Sequence, residues 1–388
     1  MLCNGKDYMK KIDKNNIPKE IINDSIYLYG AGYTAKICIK ALESESVKIE
    51  SLIDDDLMKH GTKELSYDVL SYNEFAEICK SKKSINVVLT SIYGKTIYDK
   101  LMVFSNVTIW EMYDWYMDVL DQQELVVEKH CEGERLVRYK RNTDALKKYL
   151  SDDLSKSVYD AVYQYYITND INEIVKVCTT EESYFIKEVK EYFQGRKFTL
   201  VDAGAYTGEL LRAIIESGLW VSKWYCFEAE KNNYEKLLNN IEKSVLPEGM
   251  KCLCENYGLW SEQKELPVMG QGASSKVVED AELCTGEVCK METIDTYFQN
   301  IKVDMIKMDI EGAEMRALGG AVNTIKRDMP LLAISIYHCV EDYYRIMQFI
   351  MKIQGRGYKY YIRQHAMIYG ETILYAIPRI VENEYNNK

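Results

Sequence analysis

Apolar runs of strand length alternate with helical patterns through the C-terminal half of the chain. We predict seven strands, at residues 199–203, 224–228, 251–256, 303–309, 331–337, 358–363 and 372–377. Helical patterns fall between most of these strands, including 234–241 and 313–325. This alternation predicts a doubly wound, mostly parallel α/β sheet, and the short connection between the last two strands predicts a terminal hairpin.

A smaller α/β pattern precedes it. Apolar runs at 25–29, 49–53 and 86–90 predict strands, and the first is followed by a GxGxxA turn that runs from Gly30 to Ala35. Asp54 follows about twenty residues later, as in dinucleotide-binding units. The pattern predicts a Rossmann-like unit about half the size of a full dinucleotide site.

Helical spacing replaces this alternation between about 124 and 193. Leu154, Val158 and Val162 recur at that spacing after a capping Asp152. We therefore predict three domains: a Rossmann-like domain at 1–117, a helical connector and lid at 118–193, and the larger α/β domain at 194–388.

Composition excludes several classes of protein. The chain has 388 residues, 47% hydrophobic and 28% charged, which is typical of a globular protein. A net charge of −11 argues against nucleic-acid binding, and no apolar stretch is long enough to span a bilayer. We expect a cytoplasmic protein without a membrane partner, and a homo-oligomer is compatible with the sequence.

The 11 cysteines contain no repeated CxxC, which is typical of reduced thiols. Cys252 and Cys254 lie two apart, with Cys284 and Cys289 downstream. A zinc site can be imagined there, but the spacing is wrong for a zinc knuckle. We expect ordinary core thiols.

Candidate chemistry begins at the turn after the first strand of the larger domain. Gly204 and Gly208 form a GxxxG turn, in which Gly204 would let a ligand approach the backbone. Asp202 and Glu209 flank the turn and would repel a pyrophosphate. They would attract a cofactor that carries an ammonium and a sulfonium group, as S-adenosylmethionine does.

The next two strand ends supply further cofactor candidates. Glu228 ends the second strand twenty residues after Gly208, where a carboxylate can accept hydrogen bonds from both ribose hydroxyls. Glu230 is the alternative, although its position suggests a solvated helix start. Tyr257, Gly258 and Leu259 follow the third strand, where an adenine ring would lie. Trp260 fits either that ring or the core.

Asp309 and Glu311 lie two apart at the end of the fourth strand, so we expect them on one side, facing the transferable methyl group. The sequence does not decide whether they also bind Mg²⁺. Glu314 is explained by the positive end of the following helix.

His338 follows the fifth strand, with Asp342 placed to fix its tautomer. We expect His338 or Asp309 to be the catalytic base and Glu311 to orient the cofactor or substrate. Arg363 and His365 are weaker candidates for contacts with an acceptor.

With these residues in place, residues 146–378 resemble the FkbM family of S-adenosylmethionine-dependent methyltransferases. The matching segments are 201–208, 227–228, 258–261, 273–275, 293–295, 306–320, 335–342, 361–365 and 371–378. The family usually has asparagine at the position of Tyr206 and often proline at that of Ala229. The resemblance implies a class I methyltransferase domain with a seven-stranded sheet.

The resemblance also implies roles for individual residues. It carries Asp202, Gly204 and Glu228 over as cofactor ligands, with Asp309 and Glu311 at the reaction centre. The full set that we assign to the cofactor is Asp202, Gly204, Ala205, Tyr206, Gly208, Glu209, Glu228, Ala229, Tyr257, Gly258, Leu259 and Asp309. The implied reaction is methylation of a hydroxyl on a sugar, glycan or secondary metabolite.

Two other functions compete with this interpretation. The Gly30 turn suggests an NAD-dependent sugar-modifying oxidoreductase, although no hydride-transfer residues accompany it. A non-catalytic nucleotide-binding scaffold is the second alternative, and the joint presence of Asp202, Glu228, Asp309 and His338 argues against it.

Overall fold

The computed structural model describes residues 9–13, 15–91, 94–112, 115, 136–137, 139–269, 275–278, 287–367 and 370–379. These residues form two compact units. The first contains the described residues within 1–129, 168–180 and 366–369, and the second contains those within 130–167, 181–365 and 370–388. The described residues of the predicted helical connector are therefore divided between the two units.

The first unit is built on a seven-stranded sheet of order β1-β7-β6-β2-β3-β5-β4. Its strands are β1 (Lys10–Lys11), β2 (Ile26–Tyr29), β3 (Ile49–Ile53), β4 (Lys63–Glu64), β5 (Tyr67–Leu70), β6 (Ile85–Leu89) and β7 (Val107–Glu111). Its helices are α1 (Lys19–Ile22), α2 (Tyr33–Ser44), α3 (Tyr72–Ser81), α4 (Lys95–Leu101) and α7 (Ile171–Val175), with a 3₁₀ turn at Leu57–Lys59. All strand pairs are parallel except β4 with β5, which confirms the predicted Rossmann-like module.

The second unit contains a seven-stranded sheet of order β10-β9-β8-β15-β16-β18-β17. Its strands are β8 (Lys197–Ala203), β9 (Trp220–Phe227), β10 (Lys251–Glu255), β15 (Met305–Met308), β16 (Leu331–Ser335), β17 (Tyr358–Gln364) and β18 (Thr372–Pro378). Only β18 runs in the direction opposite to the other six strands. Numbered along the chain, this order is 3-2-1-4-5-7-6, so the predicted class I sheet with its terminal hairpin is confirmed.

Helices surround this sheet. They are α5 (Lys140–Lys147), α6 (Asp153–Thr168), α8 (Lys187–Phe193), α9 (Leu210–Ser217), α10 (Lys231–Lys243), α11 (Ile294–Tyr297), α12 (Glu314–Gly319), α13 (Val322–Asp328) and α14 (Asp342–Gln354). Strands β15, β16 and β18 are buried along their whole length, which explains their nearly unbroken apolar sequences. No helix among the described residues combines the length and hydropathy needed to cross a membrane.

Two features depart from the predicted elements. A second, four-stranded sheet of order β11-β14-β12-β13 lies in the second unit, with strands β11 (Gly258–Leu259), β12 (Lys264–Met269), β13 (Lys276–Val277) and β14 (Glu287–Glu292). The helix predicted at 313–325 is instead two helices, α12 and α13. They separate at Gly320, where a Cβ atom would lie 2.1 Å from the carbonyl oxygen of Trp260.

Candidate active site

The carboxyl ends of the parallel strands in the second unit bring the predicted residues to one edge of the sheet. Strand β8 lies between β9 and β15, at the point where the strand order reverses. Ligands of open α/β sheets bind outside the strand ends at such a point. Asp202 lies near the end of β8, and Glu228, Asp309 and His338 follow β9, β15 and β16.

Because Gly204 has no side chain, the turn after β8 can lie close to the segment after β15. Its φ is +75°, and a Cβ atom built on it would lie 1.9 Å from the carbonyl oxygen of Asp309. The backbone N–H groups of Gly204 and Ala205 both donate to the carbonyl of Phe227, at 3.0 Å. The crowding at Gly204 therefore comes from the protein's own chain, whereas the sequence suggested the approach of a ligand.

Asp202 is fully buried and paired within the protein. Its Oδ1 lies 2.9 Å from Lys307 Nζ, and its Oδ2 accepts a 3.1 Å hydrogen bond from Trp224 Nε1. Lys307 also donates to the carbonyl of Gly204 at 2.7 Å. Asp202 and Lys307 thus hold the turn after β8, and direct contact between Asp202 and a cofactor stays a prediction.

Glu228 is held from both sides by backbone N–H groups. Its Oε2 accepts from Tyr206 and its Oε1 from Glu230, each at 2.9 Å. Burial raises the pKa of Glu228 to about 7, although these two donors act in the opposite direction. The carboxylate is fixed at the end of β9, where we predicted a ribose contact.

Glu230 is the N-cap of α10, and its side chain accepts from the backbone N–H groups of Asn232 and Asn233. It is buried, so the expected solvated helix start is wrong in that respect. A capping carboxylate satisfies donors that would otherwise be unpaired at the first turn.

The other residues assigned to the cofactor fall into two groups. Tyr206, Gly208 and Glu209 lie in the turn before α9; Tyr206 has φ +50° and Gly208 has φ +90°, and Glu209 is exposed. Asparagine adopts the left-handed region more readily than tyrosine, which accounts for the usual family residue at position 206. Ala229 and Tyr257 are half-buried, and Gly258 and Leu259 are buried in β11.

Trp260 is a core residue. It packs in a buried cluster with Leu266, Val268, Cys289, Met291 and Ala313. Of the two interpretations that the sequence left open, the structure supports the core aromatic.

His338 and Glu314 form a buried pair. Glu314 Oε1 lies 2.9 Å from His338 Nδ1 and also accepts from the backbone N–H of Ile310 at 2.9 Å. On the other side of the ring, His338 Nε2 lies 3.5 Å from Asp309 Oδ1 and 3.6 Å from Glu311 Oε2. The structure therefore brings the three predicted catalytic residues together, and it adds Glu314.

The sequence explained Glu314 by the positive end of the following helix. That explanation is incomplete, because the Glu314 side chain is 0% exposed and contacts His338. Asp342 makes no described hydrogen bond to His338, so the expected tautomer partner is wrong. Burial raises the pKa of Asp342 to about 7, with Glu314 adding to the effect.

Neighbouring charges shift the pKa values of the two candidate bases, His338 and Asp309, in opposite directions. Burial lowers the pKa of His338, but the carboxylates of Glu314 and Glu311 outweigh it and hold that pKa well above its usual value. Burial also raises the pKa of Asp309, but the charges of His338 and Lys307 bring it below its usual range. Both shifts favour the charged forms, an imidazolium at His338 and a carboxylate at Asp309.

Two tyrosines that the sequence analysis missed complete the shell around Asp309. Tyr184 donates to Asp309 Oδ2 at 2.8 Å, and Tyr337 donates to Oδ1 at 3.1 Å. Tyr337 precedes His338 directly, which is a usable sequence signal. Tyr184 lies 125 residues before Asp309, and no local pattern reveals it.

Strained backbone conformations concentrate at this edge. Tyr184, Tyr206, Glu311 and Glu371 all have φ between +50° and +69° without being glycine. Glu371 accepts a 3.4 Å hydrogen bond from Tyr337. Such conformations cost about 1–3 kcal/mol each and are concentrated in functional sites.

Asp309 and Glu311, for which the sequence left Mg²⁺ binding undecided, are not the group whose geometry most favours a metal ion. Among the described residues, Asp309, Glu314 and His338 each place a ligand atom within 4.8 Å of the others. A nitrogen with two carboxylates suits Mg²⁺ poorly, because that ion prefers oxygen ligands. Asp309 is also engaged by two tyrosine hydroxyls.

Arg363 and His365 are structural. Arg363 is buried and pairs with Asp152 at 2.7 Å and Glu188 at 2.8 Å. His365 Nε2 lies 2.8 Å from the hydroxyl of Tyr375, and burial lowers the pKa of His365 to about 4. The expectation that they contact an acceptor is wrong, since the protein's own groups occupy both side chains.

Comparison with known proteins agrees with this geometry. Residues 202–360 match the family described as the methyltransferase FkbM domain. Methyltransferase FkbM from Methylobacillus flagellatus KT has a similar structure, with a TM-score of 0.54, 19% sequence identity, and coverage of 91% of this chain and 89% of that chain. At that identity, the likeness shows the fold alone.

A second solved structure is Aeropyrum pernix fibrillarin in complex with natively bound S-adenosyl-L-methionine. Its TM-score is 0.28 at 10% identity, with 46% of this chain and 66% of that chain covered, which is too low to support an argument. No curated protein matches the sequence significantly.

Proposed function

We propose that this methyltransferase uses S-adenosylmethionine to methylate a hydroxyl group of a small-molecule or glycan acceptor. The premise is that residues 202–360 match the FkbM methyltransferase domain. The observation that carries the proposal is the pairing of His338 with Glu314 at the same sheet edge as Glu228. It supplies a candidate base beside a candidate cofactor site.

The residues present fit this cofactor. Glu228 offers a fixed carboxylate for ribose hydroxyls, and the edge carries more acidic than basic side chains, with Asp309, Glu311 and Glu314 beside it. That excess favours a ligand with cationic sulfonium and ammonium groups. The bound cofactor would supply an electrophilic methyl group.

The chain's own contribution is to hold the acceptor and remove its proton. His338 Nε2 is the candidate acceptor of that proton, because it makes no hydrogen bond within the described chain while Nδ1 is held by Glu314. Asp309 is the weaker base, since two tyrosine hydroxyls and its lowered pKa stabilise it as a carboxylate. Its charge instead stabilises the protonated imidazole.

Substitution of the candidate bases tests this assignment. In His338→Ala and Asp309→Asn, turnover should fall by about 10² or more, the usual effect of losing a positioned acid or base, while cofactor affinity changes little. Affinity is measured by calorimetry with S-adenosylhomocysteine, and turnover by release of that product with a panel of hydroxylated acceptors.

Glu228→Gln serves as the contrasting variant, because it should weaken cofactor binding and leave the base in place. Absence of calorimetric heat with either S-adenosylmethionine or S-adenosylhomocysteine would contradict the cofactor assignment. Unchanged turnover in both base variants would remove His338 and Asp309 from the reaction.

A further inference from the structure

Three cysteines converge on the edge of the large sheet, away from the residues that carry the proposed reaction. Cys226 lies in β9, and Cys252 and Cys254 lie in β10, which is the edge strand. Cys226 and Cys254 are register partners on the adjacent parallel strands. Side chains two apart on a strand share a face, so all three thiols point to the same side.

The sulfur atoms lie close together. Cys252 Sγ is 3.6 Å from both Cys226 Sγ and Cys254 Sγ, and all three atoms lie within 4.8 Å of one another. Three sulfurs bound to one ion at about 2.3 Å would be separated by roughly 3.8 Å. The thiols are thus arranged for a common ligand with little movement.

The sequence could not reveal this group, because Cys226 comes from a different strand. Of the partners that sequence spacing suggested, Cys284 lies outside the described residues. Cys289 is in β14, where its Sγ contacts backbone carbonyls of Asn256 and Lys290.

We propose that Cys226, Cys252 and Cys254 form a thiolate site for a soft metal ion of the Zn²⁺ class. Three thiols bind one ion with release of three protons, and the thiolates become its ligands. Cys226 is fully buried, whereas Cys252 and Cys254 are half-buried, so a water molecule can reach the fourth position. Three protein ligands with water in the fourth position distinguish open zinc sites from closed structural sites, in which the protein supplies all four ligands.

A disulfide explains the arrangement less well. Cys252 and Cys254 are two residues apart in one strand, about 6.6 Å along it, which exceeds the usual separation of bridged Cβ atoms. A bridge between Cys226 and Cys252 would leave Cys254 without a role. A metal ion uses all three sulfurs.

Metal bound here would cross-link β9 to the edge strand β10. The end of β10 supports the backbone at Glu228, because the carbonyl of Glu255 accepts the backbone N–H of Glu228 at 3.1 Å and the side chain of Asn256 donates to the carbonyl of Glu228 at 2.8 Å. We therefore expect bound metal to raise the thermal stability of the full chain.

The test measures metal bound by the full-length chain kept reduced and anaerobic. After chelator treatment, Zn²⁺ is added, unbound ion is removed, and zinc per chain is determined by mass spectrometry. The unmodified chain should retain one Zn²⁺ and melt at a higher temperature than its metal-free form. Cys252→Ser and Cys254→Ser should lose both effects, whereas Cys289→Ser, a cysteine outside the group, should keep them.

Cobalt gives a readout that needs no substitution. Co²⁺ bound by the unmodified chain should show the intense sulfur-to-metal charge-transfer absorption of thiolate ligation, and Zn²⁺ should displace it. The proposal is overturned if the reduced chain retains no zinc, if Co²⁺ shows no thiolate absorption, or if folded Cys252→Ser and Cys254→Ser retain as much zinc as Cys289→Ser. A Cys226–Cys252 disulfide, with no metal uptake after its reduction, would also overturn it.

Discussion

At the scale of single residues, Glu314 sets the chemistry that His338 can perform. Its carboxylate holds Nδ1 and leaves Nε2 directed towards Asp309 and Glu311. The same charge favours the protonated imidazole, since it raises the pKa of His338 above its usual value. A base must first lose that proton, so turnover should increase as pH rises through the raised pKa of His338. A cationic cofactor would help by lowering this pKa through like-charge repulsion.

Glu314→Gln tests this coupling. Glutamine can still accept from Nδ1 but lacks the charge, so the pKa of His338 should fall and the rising limb of the pH–rate profile should move to lower pH. Maximal turnover should drop by about tenfold or more, because the weaker base is less effective. The pH dependence of turnover and a histidine titration by NMR provide the measurement.

Asp342→Asn is the matched control, because Asp342 is also a buried carboxyl group near His338 but makes no described hydrogen bond to it. Its pH–rate profile should keep the shape seen in the unmodified chain. If only Asp342→Asn moved the rising limb of the pH–rate profile to lower pH, Asp342 would be the partner that fixes the tautomer of His338, as the sequence suggested.

The sequence predicted the residues whose position follows from a strand end. Asp309 and His338 were found because apolar runs end beside them. Glu314 was recognised as an acid at a helix start, yet its contact with His338 depends on how two strand ends meet, and one-dimensional spacing does not contain that information. Tyr184 comes from a distant loop, and its contact with Asp309 is a property of the tertiary fold.

At the scale of elements, the turn after β8 depends on Gly204 for two separable reasons. Its φ is positive, and the carbonyl of Asp309 occupies the place of a side chain. Gly218 provides a natural comparison, because its φ is +67° but nothing lies within 4 Å of a Cβ built there. The two glycines distinguish backbone strain from steric exclusion.

Gly218→Ala should lower the free energy of unfolding by about 1 kcal/mol, the cost of a left-handed alanine. Gly204→Ala should cost clearly more and should also weaken S-adenosylhomocysteine binding, because the segments after β8 and β15 must separate. Denaturant unfolding and calorimetry on both variants provide the comparison. Equal losses of stability with unchanged affinity would show that the contact with Asp309 is unimportant.

Most elements of the large sheet followed from the sequence, because its central strands are buried on both faces and have nearly continuous apolar sequences. Two strands of the four-stranded sheet could not be predicted, since β11 and β13 have only two residues each and leave no periodicity to detect. The division between α12 and α13 was also missed. The two helices separate at Gly320, which lies against the carbonyl of Trp260 in a tertiary contact.

At the scale of the whole molecule, two Rossmann-like units raise the question of which one holds a nucleoside ligand. In the first unit, Asp54 Oδ2 accepts from the backbone N–H of Ala31 at 2.7 Å and pairs with Lys59 at 3.0 Å. Thr90 donates to the carbonyl of Gly30 at 2.7 Å, and a Cβ on Gly30 would lie 2.8 Å from the Thr90 hydroxyl. Side chains of the same unit, those of Asp54 and Thr90, therefore occupy the space at the glycine turn.

Asp54 also sets the charge at that turn. The hydrogen bonds from Asp56 and Ala31 and the ammonium of Lys59 outweigh burial and hold the pKa of Asp54 below its usual range, so it is a carboxylate at neutral pH. The backbone N–H of Ala31, which would face a pyrophosphate, already donates to the Asp54 carboxylate, and the charge of Asp54 repels phosphate.

The full-length chain should accordingly bind S-adenosylhomocysteine at about −8 kcal/mol, which corresponds to micromolar affinity, and give no heat with NADH. Asp54→Asn removes the charge: NADH binding confined to this variant would show that charge repulsion was the barrier, whereas micromolar NADH binding by the unmodified chain would contradict the prediction and reinstate the oxidoreductase alternative.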